Sequence, residues 1–140
     1  MDSVGDEILG NLVGVQHCGY YKQNNAPFET NQNSQAFIVP EKRLKYFGGG
    51  FSGGKSENYL NLAKTCYEKI QQDLTNNIIA IWHDESHINK YFSENIPDII
   101  LSPSFHYPES NIEHYKKIWG NEKFTKKLLF HYSSFVRNRP

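Results

Sequence analysis

The segment from Leu44 to Leu74 places the strongest limits on the fold. An aromatic run breaks into the glycine-rich letters FGGGFSGG, and a regular helical pattern begins directly after them. Ser56 is a plausible N-cap for that helix, because serine side chains accept hydrogen bonds from the first turn. Apolar residues then recur at spacings of three and four, which predicts one apolar helix face. Its members are Tyr59, Leu60, Ala63, Cys66, Tyr67, Ile70 and Leu74.

Shorter patterns on both sides of this segment complete a chain of mixed strands and helices. The polar stretch 22–34 has loop composition, and 78–82 is apolar enough for a strand or a buried helix segment. This order predicts the α/β or α+β class, and 140 residues suit one domain. The further predicted strands are 8–16, 35–39 and 98–102, with helices at 84–94 and 111–118 and a strand or extended tail at 126–132.

Composition restricts the class of partner. Lys+Arg and Asp+Glu are equal at 15 each, which argues against a nucleic-acid partner bound through its phosphates. The 14% aromatic content favours a flat or ring-shaped ligand. Cys18 and Cys66 form no CxxC motif and indicate free thiols in a reducing compartment. No signal peptide or apolar run of membrane-spanning length is visible, so we expect a soluble, cytoplasmic chain without a transmembrane segment.

The glycine run also satisfies the pattern of a phosphate-binding loop. Gly49, Gly54, Lys55 and Ser56 stand at the spacing that this motif requires. Such a loop should connect a parallel strand to the helix, and no Walker-B-like strand ending in Asp follows. A flexible turn, or a place where the bare backbone lets a ligand approach closely, remains the competing interpretation.

Residues 82–87, WHDESH, concentrate polar side chains at the start of a predicted helix. His83 and His87 are four apart and form half of a zinc pattern, but a third ligand would be needed. Asp84 and Glu85 are adjacent, so on a helix they diverge by about 100° and cannot act as one carboxylate pair. The helix dipole alone would favour both carboxylates at this position.

Two further residues carry open alternatives. His17, beside Cys18, is either a metal ligand or a hydrogen-bonded histidine at the end of a strand. Trp82 is either a core residue or a platform on which a sugar ring stacks.

Six ordered blocks of the sequence resemble glycosyltransferase family 6, which includes the ABO blood-group transferases, the α-1,3-galactosyltransferase and bacterial relatives. WHDESHINKY at 82–91 is similar to the family signature, and HCGYY at 17–21 resembles its His-Pro-Gly-Phe-Tyr. YFGGGFSGG at 46–54 resembles its donor-specificity loop. The remaining blocks are FETNQNSQAF at 28–37, ILSP at 100–103 and VRN at 136–138, so the resemblance runs from about residue 4 to 138.

The resemblance implies a GT-A-type nucleotide-diphospho-sugar transferase fold, with a mixed sheet and flanking helices. It further implies a retaining α-1,3 transfer of N-acetylgalactosamine or galactose from a UDP-sugar to a galactoside. Glu85 would be the catalytic carboxylate beneath the anomeric carbon and would also border the acceptor. Asp84 would hold donor-sugar hydroxyls, and His17 and Trp82 would bind the acceptor galactose. Gly48, Gly49 and Gly50 would line the donor pocket, with room that favours an acetamido group, and Arg137 would meet the diphosphate.

The chain departs from the family pattern at the motif that binds the metal ion. No Asp-x-Asp motif is present, so we expect no metal site and no cofactor within the chain. Manganese would bind only if that motif lay upstream, together with the nucleotide-binding half. Residues 1–140 are therefore expected to form a single domain, the C-terminal acceptor-binding and catalytic half. An exposed sheet edge would then favour homo-oligomers. A non-catalytic carbohydrate-binding fragment is the alternative.

Overall fold

A computed structural model describes residues 3–130, with the backbone alone at Phe130. Three strands form a mixed sheet in the order β2-β1-β3, namely β1 (Leu12–Gln16), β2 (Phe47–Gly54) and β3 (Ile99–Leu101). Strand β1 is antiparallel to β2 and parallel to β3. Helices α1 (Ser56–Thr75) and α2 (His83–Glu94) pack together and flank this sheet. The α/β class, with a mixed sheet and flanking helices, is confirmed and is consistent with part of a GT-A-type fold.

Each face of the central strand carries its own apolar cluster, as alternation along a strand requires. Leu12 packs with Phe47 of β2 and with Leu62, Cys66, Ile88 and Phe92 of the two helices. On the opposite face, Val13 and Val15 are fully buried against Leu101 and Phe105. The sheet is therefore covered on both sides, and α2 is fixed against the strand that contains the glycines.

The glycine run is itself a strand, so the phosphate-loop interpretation is wrong. Gly53 pairs with Val13 and Gly54 with Leu12 in the antiparallel ladder, and the amide of Lys55 donates to the carbonyl of Asn11 at 3.0 Å. A phosphate cradle needs a loop whose successive amides are directed at one anion. These backbone groups instead belong to an extended edge strand.

Helix α1 lies where the pattern predicts it, but two details of the prediction are wrong. The N-cap residue is Lys55 rather than Ser56, and no side chain caps that end. The buried positions are Leu62, Cys66 and Asp73. Most of the predicted apolar face is exposed, including Leu60 at 65% and Tyr67 at 63%.

The polar stretch 22–39 has no strand, although 35–39 was predicted to be one. Two buried carboxylates hold this stretch instead. Glu29 accepts from the amide of Ile81 at 2.7 Å, and Asp73 accepts from the Ser34 hydroxyl at 2.6 Å and from the Gln35 amide at 2.7 Å. The apolar run 78–82 is neither strand nor helix but the connection between α1 and α2.

The last third of the described chain adds helix α3 (Ile112–Trp119) and two short strands, β4 (Tyr107–Pro108) and β5 (Leu129–Phe130), which pair in parallel. The predicted strand at 98–102 and helix at 111–118 are thereby confirmed in position. Of the strand or tail predicted at 126–132, only 129–130 forms a strand among the described residues, and 131–132 lie outside them. Among the described residues, none of the helices combines the length and apolar character needed to cross a membrane.

Candidate functional site

The Glu85 carboxylate is held by a hydrogen bond to each of its oxygens. The Tyr46 hydroxyl donates to its Oε1 at 2.8 Å, and the Gly49 amide donates to its Oε2 at 2.8 Å. Burial raises the pKa of Glu85 above its ordinary value, and the hydrogen bonds from Gly49 and Tyr46 partly oppose that shift. The carboxylate also lies in the first turn of α2, where the helix dipole stabilises its negative charge. Its orientation is therefore set by one segment, because Tyr46 directly precedes β2 and Gly49 lies within that strand.

Asn89, one turn after Glu85, fixes α2 to the glycine-bearing strand. Its Oδ1 accepts from the Phe47 amide at 2.8 Å, and its Nδ2 donates to the Phe47 carbonyl at 2.8 Å and the Glu85 carbonyl at 2.9 Å. The amide side chain thus pairs with Phe47 as a neighbouring strand would. Because Asn89 is buried, this clamp holds Glu85 opposite Gly49. The sequence reasoning assigned no role to Asn89 or Tyr46, although both stand inside the quoted motifs.

A cavity of about 510 Å³ brings together His17, Trp82 and Glu85. Trp82 is 42% exposed, so its ring is a surface of the cavity and not part of the core. Tyr20 and Tyr115 line the same space and add further ring surface. A cavity bordered by aromatic faces and one carboxylate suits a sugar, whose C–H faces stack on rings while its hydroxyls bond to polar groups.

Asp84 does not share this cavity. It is exposed and lines a separate depression with His83, His87 and Asp73. The predicted divergence of the two adjacent carboxylates is confirmed, and it leaves Glu85 alone in the aromatic cavity. The half zinc pattern acquires no third ligand among the described residues, because His87 is buried beside Asp73 while His83 is exposed.

Gly48, Gly49 and Gly50 of β2 differ in what surrounds them. A Cβ on Gly48 would lie 2.5 Å from Nε2 of His106, and one on Gly49 would lie 3.1 Å from the Cβ of Glu85. The space expected to favour an acetamido group is therefore occupied at these two positions by the protein's own side chains. Gly50 is exposed. The sequence reasoning missed His106, which lies 88 positions from Cys18 and touches it in the fold.

We expect Gly48→Ala to destabilise the fold by about 1–3 kcal/mol, the usual cost of overpacking a filled core. His106 is only 2% exposed, so its ring has no room to move away from the new methyl group. Urea denaturation of both variants checks this, with Gly53→Ala as the matched control, since a Cβ there meets nothing within 4 Å. Equal stability of the two variants would contradict the crowding at Gly48.

Beside the cavity, His17, Cys18 and His106 form a compact cluster. The Sγ of Cys18 lies 3.4 Å from Nδ1 of His106, and the imidazole centroids of His17 and His106 are 4.7 Å apart. Burial lowers the pKa of His17 to about 3, further assisted by the nearby His106, and lowers the pKa of His106 to about 4. Burial likewise raises the pKa of the Cys18 thiol to about 12. At neutral pH the three groups are therefore uncharged.

Two further sequence predictions concern groups that would meet the diphosphate of the donor. Arg137, predicted to meet the diphosphate, lies outside the described residues. Manganese prefers oxygen ligands, and the described part of the chain brings no three carboxylate or imidazole ligands together except in the nitrogen and sulfur cluster of His17, Cys18 and His106. These residues do not suit manganese, so no step of the chemistry below is assigned to it.

Comparison with known proteins adds an independent line of evidence. The model of the family described as glycosyltransferase family 6 matches residues 1–125. Histo-blood group ABO system transferase 1 of Rattus norvegicus is 37% identical over 131 residues, which is 92% of this chain and 36% of that protein.

Two further relatives are named for related activities. Globoside alpha-1,3-N-acetylgalactosaminyltransferase 1 of Mus musculus is 35% identical over 107 residues, 75% of this chain and 31% of that protein. N-acetyllactosaminide alpha-1,3-galactosyltransferase-like 1 of Mus musculus is 35% identical over 127 residues, 84% of this chain and 39% of that protein. The chain therefore spans about a third of the length of the curated relatives it matches.

Proposed function

Because the chain belongs to glycosyltransferase family 6, we propose that it carries the acceptor-binding and catalytic residues of a retaining sugar transferase. The donor is UDP-N-acetylgalactosamine or UDP-galactose, and the acceptor is an oligosaccharide that ends in galactose. The new bond is an α-1,3 linkage. The observation that carries this proposal is the position of Glu85, which is held by Tyr46 and Gly49 in a cavity shared with His17 and Trp82.

The proposed chemistry uses a carboxylate that is charged, oriented and partly shielded from water. As the bond from the anomeric carbon to the UDP oxygen breaks, positive charge develops on the sugar ring. Glu85 either attacks that carbon or stabilises the oxocarbenium-like ion, and the acceptor's 3-hydroxyl oxygen then forms the new bond. The hydroxyl proton leaves with the diphosphate. Because Tyr46 and Gly49 direct both carboxylate oxygens before the substrate binds, little reorganisation is needed in the transition state.

The proposed roles of the neighbouring residues follow from where they lie. The exposed ring of Trp82 stacks on the apolar face of the acceptor galactose. His17 accepts from the Gly19 amide at 3.0 Å through Nδ1, which places the proton on Nε2, and this N–H is the proposed donor to a sugar hydroxyl. Gly49 and Gly50 border the donor sugar. Asp84, exposed and outside the cavity, reaches donor hydroxyls only if the sugar extends over the start of α2.

The test is acceptor-dependent UDP release by the chain, measured with UDP-N-acetylgalactosamine and with UDP-galactose, each with and without manganese. Lactose and fucosylated lactose serve as acceptors, and glucose serves as the control that lacks a galactose ring. The proposal predicts release that depends on the galactoside. Galactoside binding without release, from a folded chain, would favour a non-catalytic carbohydrate-binding fragment instead.

We expect Tyr46→Phe to move the acid limb of the pH–rate profile to higher pH. The rate requires the charged form of Glu85, and the Tyr46 hydroxyl is one of the two hydrogen bonds that lower its raised pKa. Phenylalanine keeps the ring contacts with His17, Tyr20 and Phe28 and removes the hydrogen bond alone. Initial rates across pH for this variant and for Tyr59→Phe, at an exposed tyrosine of α1, provide the comparison. An unmoved limb would show that Tyr46 does not hold the reacting carboxylate.

A further inference from the structure

We propose that His17, Cys18 and His106 form a binding site for a thiophilic transition-metal ion of the zinc type. The site lies beside the sugar cavity and has no part in the transfer chemistry. One thiol and two imidazoles are the ligand types that select zinc over magnesium, calcium or manganese. The three residues come from the end of β1 and from the short 3₁₀ turn Pro103–His106, so the fold and not one sequence motif assembles them.

The distances suit a tetrahedral ion. Bond lengths of 2.0–2.3 Å to zinc separate neighbouring nitrogen and sulfur ligands by about 3.3–3.6 Å. The Sγ of Cys18 and Nδ1 of His106 are already 3.4 Å apart, and ligand atoms of all three residues lie within 4.8 Å of one another. Small side-chain movements would bring the three ligand atoms to three corners of a tetrahedron, and water or a ligand in the cavity would take the fourth.

Backbone amides next to Cys18 donate to the Nδ1 atom of each of the two imidazole rings. The Gly19 amide donates to Nδ1 of His17 at 3.0 Å, and the Cys18 amide donates to Nδ1 of His106 at 3.5 Å. An Nδ1 that accepts from an amide carries its lone pair on that nitrogen, so each ring has an Nδ1 able to bind a metal, and that of His106 lies 3.4 Å from the sulfur. The ion would replace these amide contacts, and the thiol proton displaced from Cys18 would pass to the solvent.

Cys18 is the metal-binding residue by which this chain differs from the family motif that it resembles. The block HCGYY has cysteine where the motif it resembles has proline, and the side chain of proline has no atom that can bind a metal. Cys66, the other free cysteine, lies in an apolar cluster with Leu12 and Leu62. Substitution of Cys66 is therefore the control for substitution of Cys18, because both thiols are buried and only Cys18 belongs to the proposed site.

Metal binding would affect acceptor recognition through His17. This consequence rests on the proposed function, because the same side chain is assigned to the acceptor hydroxyl. His17 borders the cavity that contains Trp82 and Glu85, so the ion can enter by the route that the acceptor uses. A bound ion would turn His17 away from the sugar, and zinc would then weaken galactoside binding without reaching the Glu85 carboxylate.

The experiment titrates the reduced chain with Co²⁺ and then displaces it with Zn²⁺. We expect one equivalent of Co²⁺ with a sulfur-to-cobalt charge-transfer band and the visible bands of a tetrahedral site. Cys18→Ser should remove the charge-transfer band and weaken Zn²⁺ binding by more than about a hundredfold, since changing a mere hydrogen-bond partner of a metal ligand costs about 10–100-fold. Cys66→Ser should leave the charge-transfer band and the Zn²⁺ affinity unchanged.

A second variant keeps the test decisive if Cys18→Ser does not fold. His17 is only half-buried, and His17→Gln should fold and weaken Zn²⁺ binding to a similar degree. Cobalt bound without a sulfur band, or bands that depend on Cys66, would overturn the proposal. Galactoside binding is measured separately on the zinc-loaded chain. If zinc binds as expected and galactoside affinity is unchanged, the metal site stands and the acceptor role of His17 is wrong.

Discussion

Glu85→Gln is expected to lower the transfer rate by about a thousandfold or more while galactoside affinity changes little. The substitution is isosteric, and a glutamine oxygen can still accept from the Gly49 amide while its amide group donates to the Tyr46 oxygen. The fold is therefore retained, and the variant loses only the negative charge that meets the developing positive charge on the sugar. Single substitutions of catalytic groups that act at the reacting atom have effects of this size or larger.

The comparison needs three measurements on each protein: the melting temperature, galactoside affinity by calorimetry and the rate of transfer. Glu94→Gln is the matched control, because Glu94 lies at the other end of α2 in an exposed ion pair with Lys90. It should match the original chain in all three. A Glu85→Gln variant that folds, binds and transfers normally would remove Glu85 from the chemistry.

Asp73→Ala is expected to lower the free energy of unfolding by about 3–5 kcal/mol, because several polar groups lose their common acceptor and each buried group left unsatisfied costs about 1–3 kcal/mol. Asp73 is 1% exposed and accepts from the Ser34 hydroxyl and the Gln35 amide. Its Oδ2 also lies 3.5 Å from Nε2 of buried His87. Alanine would leave buried Ser34 and His87 and the partly buried Gln35 amide without this acceptor, which costs more than the lost bonds alone.

Urea denaturation at neutral pH measures this effect. Glu68→Ala on the same helix is the control, since Glu68 is exposed and only 3.9 Å from Lys64 in a surface ion pair. Such pairs contribute from zero to about 1 kcal/mol. If the two variants lose similar stability, Asp73 does not anchor the stretch 22–39 to the helices.

The same carboxylate explains where sequence reasoning about the fold failed. The periodic apolar residues gave the position of α1 but not its buried face, because hydropathy does not anticipate a fully buried aspartate in its last turn. An acidic residue there is also disfavoured by the helix dipole, so no propensity argument indicates it. The segment 35–39 has the composition of a strand, yet the bonds from Asp73 to Ser34 and Gln35 hold it in another conformation.

Some residues of the candidate site could be identified from the sequence, whereas others could be identified only from the structure. The resemblance named Glu85, His17 and Trp82, and the fold places all three around one cavity. Tyr46 and Asn89 belong to the sequence blocks that resemble the family, but only the structure reveals that they position Glu85. His106 could not be linked to Cys18 from the sequence, because the turn that carries it is brought beside β1 only in the folded chain.

The most direct test of the central claim is to identify the product. Proton NMR monitors its formation while the chain acts on a UDP-sugar and lactose. One time course reports the loss of UDP-sugar, the anomeric configuration of the new bond and the acceptor carbon that carries it. The account predicts a single new α-linked sugar on O3 of galactose, absent with Glu85→Gln. A β-linked product, a different acceptor position, or equal product with Glu85→Gln would contradict it.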